Sequence, residues 1–302
     1  AVQLARHESR PTSLDYISRV MTNFVELHGD RVHGDDVNIV SGVGHLGGQT
    51  VAVIGYERGR NDGSSDHRGG ETSPEGLRKA QRAIRLASKF ELPLITFIDT
   101  PGPELSLDAE QRGLGNAIAG TMSLMAGLTS PSIAVIIGEG GSEGALTLAV
   151  ANRVLMMENA IYSIISPEEA ADIIYQDEGR ADEVAESLKL TAQDCREMGI
   201  VDMVITEPSG GAHTGPDEAA REMRRVLLYE LALLQHRTKR RVVGERYKKF
   251  RKMGEYSSHF RTAIIREVKA LQGLVATRVR QISRNRDKES KEGPEEVLDA
   301  PD

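Results

Sequence analysis

The segment GEGGSEGAL, Gly138 to Leu146, puts four glycines into seven positions between an apolar run, SIAVII, and a small-residue stretch that reads as a helix. Glycines at that density cost backbone entropy that a simple turn does not require. A strand that stops, turns through glycine and starts a helix leaves the first helical amides unpaired, with the helix dipole behind them. Glycine also lets a ligand oxygen approach those amides, which describes an oxyanion hole. A second turn, IDTPGPELSLDAEQRG, ends another apolar run in the same way. Asp99 closes that strand, Gly102 lies in the turn, and Ala109-Glu110 lead into a helix. Two such turns on successive strands suit a site that stabilises an enolate. Close packing of helix on strand explains a single glycine turn as well, and Asp99 also reads as a carboxylate that merely orders its turn.

Other chemistries fail on spacing. No Gly-Lys-Ser/Thr follows the glycines, so this is not a phosphate-binding P-loop. The glycine spacing is not that of a dinucleotide fingerprint, and no acidic residue takes a clear ribose-binding position. GGSEG does satisfy Gly-x-Ser-x-Gly, with Gly140, Ser142 and Gly144 in register. A serine hydrolase would need a late histidine, and His213 in GGAHTGP is available, so that alternative stays open. No metal-binding spacing of the His-Glu-x-x-His kind occurs. Cys195 is the only cysteine, which rules out an internal disulfide and a multi-cysteine zinc site.

The elements that must carry these turns follow from the surrounding pattern. VNIVSGVGHLGGQTVAVIGYER reads as two strands around Gly47-Gly48. SPEGLRKAQRAIRLASKF is an amphipathic helix with Ser73 as cap, Pro74 in the first position and Glu75 in the first turn. LPLITFIDTPG suits a strand buried on both faces. A helix follows from about Ala109 to Leu128, then the strand SIAVIIGEG, the helix SEGALTLAVANRV, and the short apolar runs VLMME and AIYSIIS. Near the start, Leu14, Ile17, Val20, Met21, Phe24 and Leu27 fall at helical spacing behind a Thr12/Ser13 cap. This alternation predicts an α/β fold with a mostly parallel sheet and crossover helices. Ligands collect at the carboxyl ends of such strands, where both glycine turns fall.

The chain has 302 residues, 39% hydrophobic and 27% charged, enough for a large core. Its net charge of -7, with 4% aromatics and no tryptophan, disfavours nucleic acid as the main partner. No apolar run reaches membrane-spanning length, and AVQLARHESRPTS lacks the apolar core of a signal peptide, so a cytoplasmic protein is expected. The expected division is a helical segment, 1–35, a main domain, 36–235, a basic helical extension, 236–285, and a disordered tail, 286–302. The basic stretch Arg237–Lys252 could hold nucleic acid nonspecifically. In an acidic protein a partner-facing helix is the preferred reading.

GLRKAQRAIRLASKFELPLITFIDTPG, AEQRG, IGEGGSEGALTLAVANRVLMMENAIYSIISPEEAA and EPSGGAHTGP resemble, in order and spacing, the alpha subunits of bacterial acetyl-CoA carboxylase carboxyltransferases. The resemblance runs over roughly Leu14 to Pro216. It implies a crotonase-like (ClpP/crotonase) fold and a partner beta chain of similar fold, with the active site between the two. It also implies biotin carried on a separate biotin carboxyl carrier protein. There carboxybiotin releases CO2, the biotin enolate takes a proton from acetyl-CoA, and the acetyl-CoA enolate attacks CO2 to give malonyl-CoA for fatty acid synthesis. Two enolates call for preorganised donors. The alpha chain is implied to serve mainly the biotin side, to hold no metal, and to join an alpha2-beta2 heterotetramer whose beta chain bears the zinc ribbon.

Carried over by position, the family's Gly-Gly-Ala falls on Glu143, Gly144 and Ala145, which with Gly102 are the implied catalytic residues. Gly140, Gly141, Ser166 and Pro167 are the implied cofactor contacts, although Ser166 and Pro167 also read as the cap and first residue of a helix. Glu143 stands where the family usually has glycine. Pro103 stands where it has alanine or a bulkier apolar residue, and proline offers no N–H. ELSLD replaces a glycine-containing stretch. These departures leave open another acyl-CoA, a related carboxylase or decarboxylase component, or a noncatalytic paralogue. ERGRND, Glu57 to Asp62, reads as a partner or carrier contact or as a solvated loop.

Overall fold

Both glycine turns sit at the carboxyl ends of neighbouring parallel strands. The structure, a computed structural model, describes residues 1–59 and 68–253. Its sheet has eight strands: β1 (Thr22–Glu26), β2 (Ile39–Leu46), β3 (Gln49–Tyr56), β4 (Leu94–Thr100), β5 (Ser132–Gly141), β6 (Arg153–Met157), β7 (Ile161–Ser163) and β8 (Met203–Ile205). The order is β1-β2-β3-β4-β5-β6-β8, and β7 pairs with the last residues of β5, Glu139 to Gly141. The first three strands are antiparallel, and every pairing from β3 onward is parallel. β4 is buried at every position and β5 at all but its last, as expected for strands covered on both faces. The β2–β3 hairpin turns at Gly47 and Gly48, both with positive φ, as a two-residue turn of that hand requires.

The helices that position the site and its supports are α1 (Ser13–Val20), α2 (Pro74–Phe90), α3 (Leu107–Gln111), α4 (Leu114–Gly127), α5 (Ser142–Ala149), α6 (Pro167–Tyr175), α7 (Pro216–Gln235) and α8 (Lys239–Lys252). α2 starts as its sequence predicts, with Ser73 Oγ accepting from the Gly76 amide, and it buries Leu77, Ala80, Ile84 and Ala87. Three expected helices are shorter than their patterns suggest, and that of SEGALTLAVANRV stops at Ala149 because Arg153 and Val154 already belong to β6. α1 stops at Val20, because Met21 is already extended and Thr22–Glu26 pairs with β2. Gly42 makes room there for Phe24, whose ring would lie 2.6 Å from a Cβ at that position. Sheet pairing therefore overrides the helical spacing of Phe24 and Leu27. The helix expected from Ala109 to Leu128 is split into α3 and α4 at Gly113, which takes a left-handed φ of 85°.

Ala1–Phe250 form one compact unit. Tyr16, Ile17 and Val20 of α1 share its core with Ile54, Phe97 and Ile136 of the sheet. α8, the described part of the basic stretch, is anchored by Arg246, which is 1% exposed. Its guanidinium donates to the carbonyls of Ala126 and Leu128, to Ser132 Oγ (2.9 Å) and to Asn152 Oδ1 (3.0 Å). Burial among neutral acceptors pulls it down to about 10. The rest of the basic extension after residue 253, and the tail expected to be disordered, lie outside the described residues.

Candidate active site

The two turns are pressed against each other. A Cβ on Gly141 would fall 1.9 Å from the Pro101 carbonyl oxygen, and one on Gly144 would fall 2.9 Å from the Gly102 backbone. Tyr56 reaches up from β3 and donates through its hydroxyl to the Gly144 carbonyl at 2.5 Å. α5 begins at Ser142 with Gly141 as its N-cap, and no described side chain caps it. Ser142 itself has a left-handed φ of 52°, and the first-turn amides that follow it have no side-chain cap. Of the residues that the resemblance implies as catalytic, Gly144 and Ala145 are buried at this helix start and Glu143 is exposed.

The Asp-Thr-Pro-Gly turn is different. The Gly102 amide donates to Thr100 Oγ1 (3.1 Å), and the Glu104 amide donates to the Thr72 carbonyl (3.0 Å). Pro101 and Pro103 have no N–H. Every amide from Pro101 to Glu104 is thus absent or engaged within the fold, and Gly102 lies in close approach to Gly144. Gly140 also serves packing, since a Cβ there would lie 2.9 Å from the Tyr162 ring.

Beneath the turns lies a cluster of charges. Glu139, just before Gly140, accepts from Arg6 Nη2 (2.6 Å) and Nε (3.0 Å) through one oxygen and from Arg58 Nη2 (2.7 Å) through the other. The Glu139 amide donates to Asp99 Oδ1 at 2.9 Å, and Arg58 Nη2 lies 3.6 Å from the same oxygen. Asp99 can lie there because residue 138 is glycine, where a Cβ would come within 2.5 Å of it. Burial pushes the Glu139 carboxyl up, but the Arg6 hydrogen bond and the Arg58 charge outweigh it and hold the group below its ordinary range. For Asp99 burial wins over Arg58, and its carboxyl is raised. Arg6 also bonds Glu168 of α6 at 2.8 Å.

Residues 1–254 match the acetyl co-enzyme A carboxylase carboxyltransferase-like family. The chain belongs to that family. The acetyl-coenzyme A carboxylase carboxyl transferase subunit alpha of Geobacter sulfurreducens is 46% identical over 256 residues, 84% of this chain and 80% of that one. Among solved structures, transcarboxylase 12S superposes with a TM-score of 0.61 at 18% identity, over 73% of this chain and 41% of that one. The Pseudomonas malonate decarboxylase MdcD-MdcE hetero-dimer gives 0.60 at 18% identity, over 78% and 92%. The fold is crotonase-like, as the sequence led one to expect.

Within this carboxyltransferase-like chain the remaining expected residues separate clearly. Ser166 and Pro167 are the cap and first residue of α6, and the Ser166 hydroxyl is engaged with Glu169 in a capping box. Ser142, with a left-handed φ of 52°, donates its hydroxyl to the Glu143 carboxylate. His213 stacks on His7 instead, with ring centroids 3.8 Å apart, and among the described residues no hydrogen bond joins it to Ser142 as a hydrolase would require. Glu57 points inward and accepts from the Leu14 and Gly59 amides, whereas residues 60–62 of its loop lie outside the described residues. No group of three or more His, Cys, Asp or Glu among the described residues is arranged to hold a metal. No described helix is long and apolar enough to cross a membrane.

Sequence reasoning did not single out Arg6 or Glu139, and it took Arg58 only as part of the ERGRND loop. Glu139 was visible as one of two carboxylates inside the glycine run, beside Glu143, but its two arginines come from elements far away in sequence. Pro103 loses its significance as a missing donor, because its neighbours on both sides are tied to Thr100 and Thr72. Pro103→Ala is therefore expected to leave the carboxyl-transfer rate within about twofold and to cost roughly 0.4–1 kcal/mol through a looser unfolded chain. Steady-state rates and denaturant melts of the two proteins check this. A rate gain above tenfold would restore the turn as a donor site.

Proposed function

We propose that this chain is the alpha subunit of a biotin-dependent acetyl-CoA carboxylase carboxyltransferase and serves the biotin side of the reaction. In this reading it works in the cytoplasm, against a zinc-ribbon beta chain in an alpha2-beta2 assembly, and yields malonyl-CoA for fatty acid synthesis. Carboxybiotin, delivered on a separate carrier protein, supplies the carboxyl group, and acetyl-CoA accepts it. The observation that carries the reading is the start of α5: a helix N-terminus with no side-chain cap, over a glycine floor at Gly140–Gly141. Such a helix start suits an oxygen on which negative charge develops. The amides of Glu143 and Gly144 are the donors in this reading. Glu143 is exposed, and as the second residue of the helix it keeps its amide in the donor set.

A chain that offers one donor set leaves the acyl-CoA side to its partner. The purified chain is expected to transfer no carboxyl group alone, and to do so once the beta chain and a biotinylated carrier are added. Incorporation of labelled carboxyl into acetyl-CoA measures this. Full transfer by the chain alone overturns the division of labour, and no transfer by the complete mixture overturns the function.

A further inference from the structure

We propose that Arg58 is a positioning residue that sets the spacing of the two glycine turns and thereby aims the donor amides of α5. This rests on the carboxyltransferase reading. Arg58 follows the end of β3 by two residues, while Asp99 and Glu139 lie near the ends of β4 and β5, the next two strands of the sheet. Its guanidinium meets both carboxylates, at 3.6 and 2.7 Å, so one side chain ties three adjacent strand ends. It is largely buried, and both carboxylates are more than nine-tenths hidden.

The physics makes this tie necessary. Asp99 and Glu139 are near enough for the amide of one to bond the carboxylate of the other. Without a cation between them, two buried carboxylates repel or one takes up a proton. Arg6 bonds only Oε1 of Glu139, and its Nη1 donates to Glu168, whereas Arg58 takes the other oxygen. Either response moves the end of β5 relative to β4. The chain reaches α5 three residues after Glu139, so the movement passes directly into the first-turn amides. Arg58 touches none of those amides itself, and its influence runs through Glu139. A lysine keeps the charge but replaces a planar fork by a point charge, which bridges two carboxylates poorly.

The test uses the full chain assembled with its beta chain and biotinylated carrier. For Arg58→Met, kcat is expected to fall at least about tenfold with KM for acetyl-CoA and for the carrier within about twofold, since misplaced donors cost transition-state binding first. Arg58→Lys is expected to fall between Arg58→Met and wild type. In Arg58→Ala, guanidinium ion at tens of millimolar should raise the rate severalfold, and equal sodium chloride should not. If Arg58→Met does not assemble, Glu139→Gln keeps the bulk, removes the carboxylate charge that Arg58 bonds, and is expected to lose kcat in the same way. An assembled variant with unchanged kcat, or with KM alone raised, overturns the positioning role. An inactive wild-type complex would instead overturn the carboxyltransferase reading on which it rests.

Discussion

Gly144→Ala is expected to lower carboxyl transfer by on the order of a hundredfold in a chain that still folds, comparable with deleting one oxyanion donor. The new Cβ would come within 2.9 Å of the Gly102 backbone and 3.1 Å of Pro103 N, and neither is a flexible side-chain end that can swing away. The start of α5 must then lift from the Asp-Thr-Pro-Gly turn, carrying the Glu143 and Gly144 amides with it. Gly115→Ala on α4 is the control. Nothing lies within 4 Å of a Cβ there, so the rate should not change and stability should rise by roughly 0.5–1 kcal/mol. The comparison is made on kcat with saturating beta chain and carrier, with circular dichroism and partner binding unchanged. An undiminished kcat in Gly144→Ala would show that the two turns meet for packing alone.

This control pair shows why the site was only half legible from sequence. The glycine count in GEGGSEGAL announced a close approach, and the alternation of elements placed the turn at a carboxyl strand end. The sequence did not say what approaches. Gly138 accommodates Asp99, Gly140 accommodates Tyr162, and Gly141 and Gly144 accommodate the neighbouring turn. Only the amides that remain unspent after this packing are left for a ligand. That accounting depends on Thr72 and Thr100, whose bonds to Gly102 and Glu104 follow from the fold and not from local pattern. The same holds for Arg6, Arg58 and Glu139, which no periodicity connects. Where one element decides its own structure, as with the Ser73-Pro74 start of α2 or the Gly47-Gly48 hairpin, sequence and structure agree. Where a neighbour decides, as with Phe24 against Gly42, local spacing misleads.

Glu207→Gln is expected to be among the most destabilising single changes in the chain, at about 3–5 kcal/mol. Glu207 and Arg10 form an ion pair whose side chains are 0% and 2% exposed, with contacts of 2.5 and 3.1 Å. Glu207 also accepts from the Asn159 amide and side chain, both at 3.0 Å, and from the Ala212 amide at 2.7 Å. Arg10 meanwhile donates to the Ile137 carbonyl of β5 at 2.6 Å. The pair therefore joins the N-terminal segment, the central strand and the EPSGGAHTGP loop. Removing the carboxylate charge leaves a guanidinium buried without compensation, and for a unit of this size the loss corresponds to a fall in Tm of roughly 6–20 °C. Burial pushes the Glu207 carboxyl up, but the Arg10 bond and charge outweigh it, so its folded pKa lies below the ordinary value. A depressed folded pKa means the stabilisation is fully present above the unfolded value, about 4.3, and is lost as pH falls through the folded one. Wild-type stability should therefore drop faster than that of Glu207→Gln as pH is lowered from 5, and the gap between them should narrow. Asp217→Asn, which removes an exposed partner of Arg19, is the surface control and should change little at any pH. Thermal melts of the three proteins between pH 7 and pH 3 decide it: a Tm for Glu207→Gln within about 2 °C of wild type at pH 7 would mean that the buried pair only breaks even against its own desolvation.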